Sequence, residues 1–208
     1  AKHITCISQY TANEIKQITP RVKNKISIVY NPYNEVIHFH PKEFRKENPH
    51  ILHIGTGMRK NLLRTIKALR NIPCTLIIVG ILKQEHIEQL KKNHIQYKNY
   101  LDIPFQNIIR LYQECDIVSF PSLYEGLPVA LVEAQASGVM TICSSKVSPE
   151  AKLSDYLNYF ELEKSAMDWA QYIQNLEVLD RNRFVNQLEV SGYNINKTVD
   201  YLTEKIYI

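Results

Sequence analysis

The chain has 208 residues, 45% of them hydrophobic and 22% charged, with a formal net charge of +4. That length supports one domain of ordinary size, or one domain with part of another, and argues against two full ones. The positive charge is mild and scattered, which disfavours nucleic acid as a main partner, and no apolar run reaches the roughly 18 residues of a membrane span.

Short runs rich in Ile and Val alternate with stretches of helical period, the signature of a parallel sheet with crossover helices. The first run, "HITCIS" at 3–8, predicts a strand; a helix follows over 9–18 and a second strand over 25–30. The chain enters that first strand at once, with Ala rather than Met at position 1. Residues 1–30 are therefore expected to be the tail of a preceding domain. Residues 31–49 hold three prolines and mixed charge and read as a linker. Strands are next predicted over 50–55, 74–80, 95–101, 115–122, 139–145 and 157–162. Helices are predicted over 60–70, 84–93, 105–113, 128–137, 165–175 and from 194 onward. Several of these strands are apolar on both faces, as a sheet covered by helices on two sides requires. Residues 50–193 thus form one α/β domain with a Rossmann-like parallel sheet, and 194–208 a terminal helix. Leu62, Leu63, Ile66 and Leu69 share one helical face. Pro104 suits a first helical turn, with Asp102 as its cap.

Cys6, Cys74, Cys115 and Cys143 lie far apart, three of them in or beside apolar runs, and read as buried thiols of a reducing compartment. No Cys-x-x-Cys or Cys/His cluster suggests zinc, and no metal is expected. His38, His40, His50, His53, His86 and His94 read as surface or strand-edge groups.

In an open parallel sheet, ligands bind at the carboxyl ends of the strands. Three loops there carry suggestive chemistry. In "HIGTGMRKN", Gly55, Thr56 and Gly57 precede Arg59 and Lys60 at a helix start, so glycines, free N–H groups and two cations stand together. This is either a phosphate-binding loop or a plain turn with solvated cations; Gly-x-Gly alone does not decide. In "SLYEGLPVALVEAQASG", Glu125 lies in a loop shaped by Pro121, Gly126 and Pro128, where Gly126 is suited to a left-handed conformation. Glu133 falls in an apolar helix, where an unpaired carboxylate is costly. Ligand hydroxyls would satisfy both glutamates; a loop cap for Glu125 and an exposed position for Glu133 are the plain alternatives. In the third loop, "NYLDIPF", Leu101 to Ile103 are placed to pack on a flat ring and pair its edge through the backbone.

Together "HIGTGMRKNLLRTIKAL" and "YQECDIVSFPSLYEGLPVALVEAQASGVMTICSS", with their spacing, resemble the donor-binding domain of retaining GT-B glycosyltransferases of family four. The long paired-glutamate motif, from Ser-x-x-Glu-Gly to Glu-Ala-x-Ala-x-Gly, carries most of that specificity. The similarity covers about residues 25–190, and "SKVSPEAKLSDYLNYFELEKSAMDWAQYI" resembles the continuation in bacterial exopolysaccharide and lipopolysaccharide enzymes. "ITCISQYTANEI" looks like the last strand and helix of the acceptor domain. The resemblance implies that Lys60 and Arg59 contact the donor diphosphate near Gly55 and Thr56, and that Glu125 binds hydroxyls of the transferred sugar. It implies that Gly126 and Leu127 offer backbone N–H groups, that Glu133 holds the ribose, and that Leu101 and Asp102 meet the base. Many relatives read Glu-Gly-Phe-Gly where this chain has Glu125-Gly126-Leu127-Pro128, and Pro128 has no N–H to donate.

The implied activity is transfer of a hexose, with retention, from a nucleoside-diphosphate sugar to a glycan or lipid-linked acceptor in polysaccharide synthesis. A UDP-sugar is favoured over a GDP-sugar, and no cofactor or metal is needed. With the N-terminal acceptor domain absent, the chain is expected to transfer sugar slowly or not at all. The expected location is cytoplasmic, with peripheral association at the inner face of the plasma membrane left open. Two alternatives stand: a non-catalytic nucleotide-sugar-binding module, and a nucleotide-sugar epimerase of the same architecture.

Overall fold

The computed structural model describes residues 3–34, 36–37, 39–40, 42–177, 179, 193 and 195–205. His38 and position 194, where the last helix was expected to begin, lie outside them. Strands β1 (Ile4–Cys6) and β2 (Ile26–Ile28) pair in parallel beside helix α1 (Gln9–Ile18). The main sheet contains β3 (His50–Ile54), β4 (Thr75–Val79), β5 (Gln96–Tyr100), β6 (Ile117–Phe120), β7 (Met140–Ser144) and β8 (Leu157–Phe160). Their order is β5-β4-β3-β6-β7-β8, all parallel. The helices of this part are α2 (Leu62–Ala68), α3 (Gln84–Lys92), α4 (Phe105–Glu114), α5 (Val129–Ala136) and α6 (Ala166–Gln174), with α7 (Ile195–Lys205) last. Chain order and strand order reverse direction between β3 and β6, and a doubly wound sheet opens its crevice at such a switch point.

Alternate residues of the central strands enter opposite cores, as a strand's two-residue period dictates. Ile51, Leu76 and Ile78 pack with Leu62, Ile66 and Leu69 of α2 and with Trp169 of α6. Leu52, Ile77 and Val118 pack instead with Leu111 and Tyr112 of α4 and Ala134 of α5. β6 and β7 are buried at every residue, whereas the edge strand β5 exposes four of its five. All four cysteines are buried free thiols.

Three local expectations are corrected. Asp102 does not cap α4: Pro104 occupies the N-cap without a side-chain hydrogen bond, and Asp102, two residues earlier and at φ 36°, makes no cap bond. His53 is 1% exposed and His86 6%, so neither is a surface group. Helix α2 packs over the β3 face that carries His53, and His53 Nδ1 lies 3.0 Å from Thr65 Oγ1. His86 is fixed by an N–H from Lys83 to its Nδ1, at 3.2 Å.

Residues 31–49 carry no helix or strand among the described positions, yet they are tethered. Asp116, its side chain 1% exposed, pairs with Lys42 at 2.6 Å and Arg45 at 3.0 Å and accepts from His50 N–H at 2.7 Å. A second carboxylate ties the first unit to the main sheet. Glu150 accepts from the backbone N–H groups of Gln9 and Tyr10, each at 2.8 Å, and from Tyr30 O–H at 3.1 Å. It thus sits on the N-terminus of α1, where unpaired amides and the helix dipole favour an anion. These contacts hold its carboxyl below its ordinary range, although partial burial opposes them.

Candidate functional site

The loops leaving β3 and β6 meet at the switch point. Gly55 has φ +90°, which glycine tolerates and other residues rarely adopt. A side chain there would lie 3.0 Å from Lys60 Cγ, so Lys60 runs back across the turn. Gly55 N–H donates to Val79 O at 2.8 Å, and Thr56 Oγ1 donates to Ile81 O at 2.6 Å, which joins the loops after β3 and β4. Met58–Lys60 form a single 3₁₀ turn, and α2 begins only at Leu62. Asn61, at φ 55°, donates its side-chain amide to Pro121 O at 3.1 Å instead of capping α2. Leu123 N–H donates to Arg59 O at 2.9 Å, a second tie between the loops.

Glu125 is the centre of this junction. Its Oε1 accepts from Lys60 Nζ at 2.8 Å and from Ser122 Oγ at 3.1 Å, and its Oε2 accepts from Arg59. Although Glu125 stands in a loop, the structure leaves it only 6% exposed. Burial at that level requires compensation, and the two cations supply it. Lys60 Nζ also lies 4.4 Å from the Phe120 ring centre, and the Arg59 guanidinium 5.7 Å from that of Tyr124. Two cations against one carboxylate leave the cluster with one surplus positive charge. An anionic ligand arriving there would find donors already gathered.

Gly126 is not left-handed, contrary to expectation. Its need for glycine is a close approach: a Cβ would lie 3.0 Å from Thr11 Oγ1 on α1. Leu127 is 4% exposed and packs its side chain with Phe120, Leu131 and Val132, leaving only its backbone to meet a ligand. Glu133 is half-buried on α5, makes no hydrogen bond with the Arg59–Lys60–Glu125 cluster, and accepts from Tyr112 O–H at 3.1 Å. Burial raises its pKa, and the tyrosine bond partly opposes the shift. Leu101, 58% exposed, and Asp102 stand at the end of β5, two strands from the switch point.

The geometry therefore unites Gly55, Arg59, Lys60 and Glu125, ties Thr56 alongside, and places Glu133, Leu101 and Asp102 apart from them. Ser122 and Tyr112 were not singled out from sequence. Ser122 had a local signal, a hydroxyl three residues before a loop glutamate; Tyr112 had none, being 21 positions from Glu133. A groove of about 580 Å³ lined by Lys67, Arg70, Lys92 and Met167 lies at the C-terminal ends of α2 and α3, away from this edge. Among the described residues, no group of three or more His, Cys, Asp or Glu is placed to hold a metal ion.

Comparison with known proteins gives the family. The pattern of the glycosyl transferases group 1 matches residues 36–189. CapH of Staphylococcus aureus, a capsular polysaccharide biosynthesis glycosyltransferase, is 27% identical over 176 residues, covering 78% of this chain and 49% of that protein. The Escherichia coli UDP-Gal:alpha-D-GlcNAc-diphosphoundecaprenol alpha-1,3-galactosyltransferase is 30% identical over 114 residues, 51% of this chain and 27% of that one. The crystal structure of Anabaena HepE with UDP and glucose superposes with a TM-score of 0.81 at 15% identity, covering all of this chain and 63% of that one. The chain spans about a quarter to a half of the curated relatives it matches. Its six-stranded parallel sheet is that of the GT-B glycosyltransferases, and with the family pattern spanning most of its length the chain belongs to the group 1 glycosyl transferases.

Proposed function

We propose that the chain is the donor-binding part of an enzyme that transfers a hexose from a nucleoside-diphosphate sugar, with retention, to a glycan or lipid-linked acceptor. The carrying observation is the junction at the β3/β6 switch point, where Arg59 and Lys60 converge on the buried Glu125. In this reading the two cations turn toward the diphosphate and stabilise the charge that develops as it leaves, an electrostatic role worth several kcal/mol when the donors are preorganised. Glu125 retains acceptor capacity for sugar hydroxyls, since a carboxylate takes about four hydrogen bonds and three are used here. The backbone of Gly126 and Leu127 serves the sugar or diphosphate, Glu133 the ribose, and the exposed turn at Leu101 and Asp102 the base. No metal enters this scheme.

A UDP-sugar is the favoured donor, in keeping with the UDP in the HepE crystal and the UDP-Gal of the E. coli relative's name. That relative's diphosphoundecaprenol acceptor and the capsular role of CapH support polysaccharide synthesis with a lipid-linked or glycan acceptor; a lipid-linked acceptor would bring the enzyme to the inner face of the plasma membrane. Residues 1–30 are the end of the acceptor-binding domain, 31–49 the linker and 50–193 the donor domain, and the chain by itself binds donor but turns it over slowly. Calorimetric titration of the chain with UDP, GDP, ADP and their hexose conjugates tests this. Saturable binding of one nucleotide, weakened at least tenfold by Lys60→Ala and by Glu133→Ala, is expected for lost charge-assisted contacts of about 1.5–3 kcal/mol. Binding that neither substitution alters would overturn it.

A further inference from the structure

Resting on the reading of Glu133 as the ribose ligand, we infer that Tyr112 is the positioning residue that aims the Glu133 carboxylate. The phenol oxygen lies 3.1 Å from Glu133 Oε2 and 3.1 Å from Ala130 O, two acceptors three residues apart on α5. Its single proton serves either, and both hold it against the same turn of helix.

The hydroxyl can set a direction because its ring cannot move. Tyr112 is fully buried on α4, among Leu52 of β3, Ile77 of β4, Val118 of β6 and Ala134 of α5. Four elements of the close-packed core thus fix the ring, and the ring fixes the point in space where Oε2 must sit. A glutamate on a helix has three side-chain torsions and would otherwise spread over several rotamers toward solvent. Anchoring one carboxylate oxygen leaves the other in a defined place, and among the described residues Glu133 Oε1 has no hydrogen-bond partner and no cation within ion-pair distance. A vicinal diol is a pair of donors that such an anchored, half-exposed carboxylate suits. Burial pushes the Tyr112 phenol well above its ordinary pKa, and the adjoining carboxylate raises it further, so the hydroxyl stays a donor throughout the accessible pH range.

Tyr112→Phe keeps the ring and removes only the anchor. The probe is whichever of UDP, GDP and ADP binds the chain, paired with its 2′,3′-dideoxy analogue, which lacks both ribose hydroxyls. The parent chain is expected to prefer the ribonucleotide. Tyr112→Phe should lower that preference about tenfold or more while leaving the affinity for the dideoxy analogue unchanged, because one hydrogen bond to a charged group is at stake. In a Glu133→Ala background, Tyr112→Phe should change the ribonucleotide affinity no further, since paired residues are non-additive. A preference in the parent that survives intact in Tyr112→Phe overturns the inference alone. Equal weakening of both nucleotides by Tyr112→Phe overturns it too, as the mark of a merely structural role. No preference in the parent, or no binding of any nucleotide, removes the ribose reading of Glu133 and the inference with it.

Discussion

Lowering the pH should expose the cost of burying His53. The imidazole is fully enclosed, and burial pushes its pKa from 6.5 down to about 3, with the nearby Lys60 charge acting the same way. The folded protein therefore keeps His53 neutral at pH values where the unfolded chain binds a proton. Stability from this group is complete above pH 6.5 and is lost as the pH falls from there toward 3. Each pH unit in that window costs about 1.4 kcal/mol, so at pH 5 the loss is about 2 kcal/mol. For a chain of this size that corresponds to roughly 4–8 °C in Tm. Urea unfolding of the parent and of His53→Gln at pH 7.5 and 5.0 isolates the effect. The variant is expected to be less stable at pH 7.5, yet to lose about 2 kcal/mol less between the two pH values. Asp116 and Glu150, whose carboxyl pKa values are depressed, and His86 also make the fold acid-sensitive, but they are common to both proteins and cancel in the difference. Parallel losses in parent and variant would refute the reasoning.

Three further outcomes are expected. Asp116→Asn leaves Lys42 and Arg45 without their buried anion and should cost about 3 kcal/mol in urea unfolding, with the nucleotide binding proposed for the far edge of the sheet unchanged; a loss near zero would show the tether to be dispensable. Gly126→Ala should cost about 1 kcal/mol by crowding Thr11, and much less in a Thr11→Ala background; equal costs in the two backgrounds would place the strain elsewhere. Glu150→Ala should speed amide exchange in residues 9–18 without changing exchange in β6 and β7, since α1 loses the acceptor of two N-terminal amides; unchanged protection of α1 would mean that other contacts seat it.

What was legible in the sequence was what depends on neighbours in the chain. Among the described residues, most of the eight strands and seven α-helices follow from short apolar runs and 3.6-residue periods, so α4, expected at 105–113, forms over 105–114. The three loops at the carboxyl ends of the strands were legible for the same reason. What was hidden depends on partners far along the chain. Glu125 is buried because cations 65 and 66 positions earlier reach it. His53 looks like any strand-edge histidine until Thr65, and through it Ser119 at 2.9 Å, closes over one face of β3. Gly126 reads as a turn glycine, whereas its lack of a side chain makes room for a helix from the start of the chain.

The seating of α1 sets a rule for building chimaeras. That helix has no acidic residue in its first turn; the negative charge its dipole favours comes from Glu150 on the other side of the joint. A transplanted first unit would dock more tightly on this scaffold if its helix likewise began without Asp or Glu. One that brought its own N-terminal acid would place two carboxylates on the same few amides and weaken the joint by about 1 kcal/mol.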